Sequence, residues 1–205
     1  MPDHKKSSTV KERELIMRAK QGDEASFEAL ILSCKGKAYN IAYRYMRNEE
    51  DALDVMQESF IKIYRHLEKF NEQSQFDTWV YRIVVNACND MLRKNKNKTI
   101  NDTIYKNKDS EDVFIEIADK GPRPDEILEN KEKSKYILSC LEKTGHDHKE
   151  ILILRDIQGF SYEQIAQILN CSMGTVKSRL SRARLKLKEI YLAGKQSEQI
   201  EDQCV

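Results

Sequence analysis

The spacing of apolar residues along the first half of the chain predicts helices and no sheet. From about residue 10 to 95, apolar positions recur every three or four residues, which is the period of one helix face. Within 49–70 they predict one buried stripe, formed by Leu53, Met56, Phe60, Ile63, Tyr64 and Leu67. A polar loop at 71–75 precedes the cleanest amphipathic pattern, at 76–92, with Trp79 on its apolar stripe. The expected fold class is therefore all-α.

A second helical block, at 126–192, contains the pattern of a helix-turn-helix. Ser161 and Gln164 form a capping box ahead of one short helix. Asn170 follows its last apolar residue and tolerates a left-handed turn, and Ser172 can cap the next helix. The apolar face of that next helix is formed by Val176, Leu180, Ala183, Leu187 and Ile190. Earlier in the block, one further stripe is formed by Ile137, Leu138 and Leu141.

A change in composition separates the two helical blocks. Residues 99–130 hold nine acids and four bases, and the segment Gly121-Pro122-Arg123-Pro124 interrupts any helix there. We therefore expect two small helical domains joined by a flexible acidic linker. The expected order is a flexible N-terminus at 1–9, a first domain at 10–97, the linker at 98–125, a second domain at 126–192 and a flexible tail at 193–205.

Composition excludes several classes of protein. The longest aliphatic run, 151–154, is far shorter than the ~18 residues of a membrane-spanning helix, and the polar start predicts no signal peptide. Five scattered cysteines without a CxxC motif predict reduced thiols in the cytoplasm. Cys140, His146 and His148 match no common zinc spacing. We expect no metal site and no cofactor.

Charge is sorted into blocks although the net charge is only +1. The acids Asp51, Asp54 and Glu58 share one helix face with Gln57 beside them, and residues 49–58 contain no base. This pattern suits docking onto a basic protein, but it equally suits plain solvation. The last helix of the helix-turn-helix is rich in Lys and Arg up to position 188, which favours DNA binding over a solvated face.

Four motifs in a fixed order carry a family resemblance. They are DALDVMQESF at 51–60, FDTWVYRI at 76–83 followed by Asn86, GFSYEQIA at 159–166 and GTVKSRLSRAR at 174–184. Together they resemble the bacterial extracytoplasmic-function (ECF, group 4) sigma factors of the sigma-70 family, over roughly residues 10–192. The departures are small and lie in the turn, where Asn170 replaces a frequent glycine and Ser172-Met173 a frequent Pro-Val.

The resemblance implies a transcription initiation factor without catalytic activity. Its region 2, a helical bundle, and its region 4, a helix-turn-helix, would bind core RNA polymerase, recognise the −10 and −35 promoter elements and promote DNA melting at a stress or cell-envelope regulon. The surface facing the β′ clamp helices would contain Asp54, Gln57 and Glu58. The family also implies contact with the β flap and an anti-sigma factor, often membrane-anchored, without direct membrane insertion by this chain.

The resemblance and the chemistry of the side chains together select two sets of DNA-contacting residues. The −10 strand would be contacted by Asn71, Gln73, Ser74, Arg82, Asn86, Arg93 and Lys94. The −35 element would be contacted by Thr175, Lys177, Ser178, Arg179, Ser181, Arg182 and Arg184. At 100° per residue, Lys177, Ser178, Ser181 and Arg182 lie opposite the apolar face, and Arg can form two hydrogen bonds to guanine.

Two other interpretations compete with a sigma factor. A helix-turn-helix repressor or activator accounts for 150–190 but gives no role to 49–92. An all-helical adaptor without a DNA role leaves the basic helix unexplained. A hydrolase or transferase is disfavoured because the sequence has no phosphate loop, nucleophile elbow or metal spacing.

Overall fold

The computed structural model describes the backbone of residues 3–101 and 134–202 and the side chains of 10–96 and 134–196. Every regular element within these ranges is helical, and they contain no strand. The predicted all-α fold is therefore confirmed. Of the predicted linker 98–125, residues 102–125 lie outside the described residues, as do Ile127 and Leu128 of the second block.

Four helices form the first compact unit: α1 (Asp3–Lys20), α2 (Glu24–Met46), α3 (Glu49–His66) and α4 (Phe76–Asn101). Helix α2 packs against each of the other three. Helical backbone thus begins inside the segment 1–9 that we expected to be flexible, and α4 extends past the expected boundary at 97. A single 3-10 turn, Leu67–Lys69, follows α3 and leads into the loop before α4.

Local capping chemistry sets where these helices begin and end. Gly22, at a φ of 89°, allows the tight turn after α1, and Ser26 donates a hydrogen bond to the carboxylate of Asp23 at the start of α2. Arg47 adopts a left-handed φ of 57° after α2. The side chain of Asn48 then accepts a hydrogen bond from the backbone N–H of Glu50, which caps α3.

The core of the first unit departs from the predicted apolar stripe of α3. Met56, Ile63 and Leu67 are buried as expected. The prediction was wrong for Leu53 and Tyr64, whose exposed fractions are 46% and 52%. The helix instead buries its small residues against the bundle, namely Ala52, Val55 and Ser59. The buried face of α3 is therefore shifted from the predicted stripe, and Leu53 and Tyr64, at one edge of that stripe, are directed outward.

The second compact unit contains a helix at 134–142, α5, followed by α6 (His146–Leu152), most of α7 (Tyr162–Ile168) and α8 (Met173–Asp202). A π-helical turn, Ile153–Ile157, continues α6 and ends near Gly159, whose φ is 72°. The core lies between α6, α7 and α8 and includes Ile151, Leu154, Phe160, Ile165, Val176 and Leu180.

The predicted caps of the helix-turn-helix are confirmed. The N–H of Gln164 donates to Ser161 Oγ at 3.2 Å, and the Gln164 side chain accepts from the N–H of Ser161 at 3.0 Å. Asn170 has a φ of 49°, and Ser172 Oγ accepts from the N–H of Thr175 at 3.1 Å. These local contacts fix the angle at which α8 leaves the turn.

The end of α8 packs against α5. Its backbone stays helical to Asp202, and the Tyr136 hydroxyl of α5 donates to the Tyr191 carbonyl at 3.2 Å. A Cβ at Gly194 would overlap that hydroxyl, so glycine permits this approach. In the stripe predicted for α5, Leu138 and Leu141 are buried, but the prediction was wrong for Ile137, which is 45% exposed.

Candidate functional site

The predicted polymerase-binding residues lie together on the outer face of α3. We call Asp54, Gln57 and Glu58 the docking stripe; Asp54 and Gln57 are exposed and Glu58 is half-buried. Glu58 Oε1 lies 2.8 Å from Lys62 Nζ, one helical turn away. The hydrogen bond from Lys62 lowers the pKa of Glu58, so this carboxylate stays charged at neutral pH. Asp54 forms no ion pair with any described residue, which leaves its charge available to a partner.

Two apolar residues border the docking stripe, and our sequence analysis missed this role for them. Leu53 and Ile61 are 46% and 52% exposed and lie one helical turn before and after Gln57. The signal that could have found them is the spacing 53–57–61, which places all three residues on one face. An exposed apolar pair bordered by charged groups matches the apolar centre and polar rim of a protein-binding surface.

The loop 71–75 is held at both ends by a buried aromatic cluster. Phe70, Phe76 and Trp79 are buried, with ring centroids 5.2–5.9 Å apart. Trp79 therefore belongs to the core, as its place on the apolar stripe indicated. Between these anchors Asn71 and Gln73 are exposed and Ser74 is half-buried. The Oδ1 atom of Asn71 is directed back toward the Gln73 N–H, 3.4 Å away, so Asn71 also shapes the loop.

Helix α4 continues from the loop and carries the other predicted −10 residues. Arg82, Asn86 and Arg93 lie within about 40° of one another around the helix, while Lys94 lies about 120° from Arg82. Arg93 forms an ion pair with Asp90 at 2.9 Å, and it lies about 26 Å along the helix from its first residue. The predicted residues of α4 thus follow the loop along one face of the helix, except Lys94, which lies off that face.

Helix α8 presents the predicted −35 residues on its exposed side. We call Lys177, Ser178, Ser181 and Arg182 the recognition face, and all four are exposed. The Arg182 Nε atom donates to the Ser178 carbonyl at 3.3 Å, which directs the guanidinium along this face. Arg179 is half-buried beside them.

Two predicted −35 residues make contacts inside the second unit. The hydroxyls of Thr175 and Ser172 are 2.9 Å apart, so Thr175 takes part in the cap of α8. Arg184 forms two hydrogen bonds to the carboxylate of Asp156, one of them at 3.1 Å, and this contact raises the pKa of Arg184. Arg184 therefore joins α8 to the π-helical turn as well as facing solvent.

The described residues contain no cluster of His, Cys, Asp and Glu suited to holding a metal ion. His148 Nδ1 contacts the Thr144 carbonyl at 3.2 Å, and Cys140 is buried. None of the described helices is long and apolar enough to cross a membrane.

Comparison with known proteins gives consistent matches for both units. The model of Sigma-70 region 2 matches residues 30–98, and that of Sigma-70 region 4 matches 134–187. The ECF RNA polymerase sigma-E factor of Haemophilus influenzae is 36% identical, over 83% of this chain and 89% of that protein.

Two solved structures share the fold. The Bartonella quintana sigma factor RpoE, in complex with the anti-sigma factor NepR, is 27% identical and matches with a TM-score of 0.61, over 80% of this chain and 95% of that one. CnrH in complex with the cytosolic domain of CnrY matches with a TM-score of 0.63 at 24% identity, over 89% of this chain and 98% of that one. With both regions present in order and a relative above one-third identity along most of its length, the chain belongs to the sigma-70 family, in its ECF group.

Proposed function

We propose that this sigma factor binds core RNA polymerase through the docking stripe of α3, against the β′ clamp helices. The observation that carries the proposal is that Asp54, Gln57 and Glu58 share their exposed face with Leu53 and Ile61. The carboxylates provide electrostatic complementarity to a basic partner. The apolar pair provides surface whose burial on binding is favourable in free energy.

The loop 71–75 and helix α4 are the proposed site for the non-template −10 strand. A promoter opens only if its unpaired bases are stabilised, through polar pockets and backbone contacts. Gln73 and Ser74 offer donors and acceptors in the loop, and Arg82, Asn86 and Arg93 continue along one face of α4. In this arrangement the loop receives bases while α4 holds the phosphates that follow.

The recognition face of α8 is the proposed reader of the −35 element. Arg182 and Lys177 can reach base edges in the major groove, while Ser178 and Ser181 are small enough to let the helix approach closely. We assign a phosphate contact to Thr175 and the N–H groups at the start of α8. Arg179 and Arg184 border the major groove. Region 4 also contacts the β flap of core polymerase.

An anti-sigma factor is the proposed regulator of this chain. The support is the related Bartonella quintana factor, which was solved with the anti-sigma factor NepR. Covering either the docking stripe or the recognition face would keep the chain from polymerase or from promoters. We place its action in the cytoplasm, at promoters of a stress or cell-envelope regulon, as a factor without catalytic activity of its own.

A core-binding titration tests the docking proposal. The full chain, fluorescently labelled, is titrated with core RNA polymerase, and the double variant Asp54→Lys, Glu58→Lys is expected to bind at least about tenfold more weakly. The matched control is Glu24→Lys, Glu28→Lys, which makes the same charge change at the same spacing on α2. Equal affinity of the two double variants for core polymerase would show that the docking stripe does not bind it. Promoter binding by the chain in the absence of core polymerase would favour a repressor.

A further inference from the structure

Helix α1 contacts the entry and the middle of the loop 71–75. At the entry, Lys20 Nζ donates to the carbonyl of Phe70 at 2.6 Å and lies 5.9 Å from the centroid of the Phe70 ring. Within the loop, Arg13 Nε lies 3.1 Å from Glu72 Oε2. Residues that are 50 and 59 positions apart in sequence are thereby joined at the proposed DNA site.

The same helix also contacts the exit of the loop. Burial raises the pKa of the Glu12 carboxyl, and the backbone N–H of Phe76, the first residue of α4, lies near enough to oppose that rise. An acidic group suits this position because the N-terminus of a helix carries partial positive charge. The region 2 match begins at residue 30, so α1 lies outside the residues that the family model covers.

The middle of the loop has few contacts of its own. Glu72 adopts a φ of 57°, a left-handed conformation that non-glycine residues rarely hold without support. The contact inside the loop, from the N–H of Gln73 to Asn71 Oδ1, is long at 3.4 Å. The ion pair with Arg13 therefore supports Glu72, whose left-handed backbone is poorly supported by contacts within the loop.

We propose that α1 positions the loop for the −10 strand, with Arg13 as the positioning residue that fixes Glu72. The proposal rests on the function proposed above for the loop. A loop already held in its bound conformation loses less entropy when it binds a strand. Pairing with Arg13 also offsets the repulsion between the Glu72 carboxylate and DNA phosphates. Since both partners of the ion pair are exposed, its loss should leave the fold intact and change only the loop.

A double-mutant cycle on holoenzyme tests this proposal. Core polymerase with the full chain is titrated with a single-stranded oligonucleotide carrying the −10 sequence of a promoter that the holoenzyme selects, and with a scrambled oligonucleotide. Arg13→Glu should weaken binding of the −10 oligonucleotide about fivefold, and adding Glu72→Arg should restore the ratio of −10 to scrambled affinity to within about twofold of wild type. Lys11→Glu, the same charge change elsewhere on α1, should leave this ratio unchanged.

The outcomes distinguish the positioning role of α1 from the proposal that the loop binds the −10 strand. Additive effects of Arg13→Glu and Glu72→Arg, or no effect of Arg13→Glu, would overturn the positioning role. If Gln73→Ala and Ser74→Ala weaken −10 binding while the Arg13 variant does not, only the role of α1 is lost. If the loop variants also bind like wild type, the loop is not the −10 site and both proposals are wrong. Affinity for core polymerase, measured in parallel, should stay at the wild-type value in every variant.

Discussion

At the start of α4, two carboxyl groups share a partly buried site with a lysine. Burial raises the pKa of Asp77, and the charge of Lys37 opposes that rise. Burial and repulsion from Asp77 raise the pKa of Glu12, while the N–H of Phe76 opposes it. Burial lowers the pKa of Lys37 itself. The first unit therefore places charges where their ionised forms are disfavoured, directly beside the loop that we assign to DNA.

The titration of Asp77 predicts how stability depends on pH. A carboxyl group whose pKa is raised by folding binds its proton more tightly in the folded state, so its contribution to the free energy of unfolding falls as pH rises through that raised pKa. In Asp77→Asn this contribution is absent. We expect Asp77→Asn to lose less stability than wild type as pH rises above about 4, the ordinary pKa of an aspartate, measured by urea unfolding. Identical pH dependence of the two proteins would contradict the assignment.

Base readout and phosphate contact can be separated on α8. Arg182→Ala should lose base preference at one or two −35 positions, since each good Arg–guanine pair contributes about 1–3 kcal/mol of discrimination. Arg184→Ala should instead lower affinity for all sequences and reduce the salt dependence of binding. A promoter-library selection with each variant checks this. Unchanged base preference in both Arg182→Ala and Lys177→Ala would rule out direct readout by the recognition face.

At the scale of the element, the turn before α8 is specified by three short-range contacts. The capping box of α7, the left-handed Asn170 and the Ser172 cap follow one another within twelve residues. Each contributes to the orientation of the recognition face, because α8 leaves the turn in the direction that these residues set.

The strain at Asn170 predicts opposite effects for two substitutions. Asn170→Gly should stabilise the helix-turn-helix by up to about 1 kcal/mol, since glycine adopts a positive φ without a Cβ penalty. Asn170→Ala should destabilise it by a similar amount. Native-state hydrogen exchange of the α7 amides measures this unit separately from the rest of the chain. If both substitutions changed the stability in the same direction, the strain argument would be contradicted.

The features predicted correctly from sequence are those set by near neighbours. Ser161 with Gln164, and Ser172 with the start of α8, interact across three residues, so their spacing alone specifies the contact. The outward direction of Leu53 depends on which face of α3 meets the other helices, and periodicity could not choose between neighbouring faces. Ion pairs such as Arg13–Glu72 and Arg184–Asp156 join distant positions and leave no periodic pattern in the sequence.

At the scale of the whole molecule, the acidic docking stripe and the basic recognition face lie on different units. The acidic docking stripe belongs to the first unit and the basic recognition face to the second, and the nearly neutral total conceals this division. Such a division allows one chain to bind a basic protein surface and a nucleic acid at the same time.

Promoter-specific run-off transcription tests the central claim, that one chain recruits core polymerase through α3 and reads a promoter through both units. The template is a promoter selected from a genomic library by the holoenzyme, in intact form and with either the −35 or the −10 element scrambled. We predict a transcript from the intact template alone, and its loss with Asp54→Lys, Glu58→Lys but not with Glu24→Lys, Glu28→Lys. Full-length transcript from either scrambled template, or undiminished transcript with the docking-stripe variant, would contradict the account.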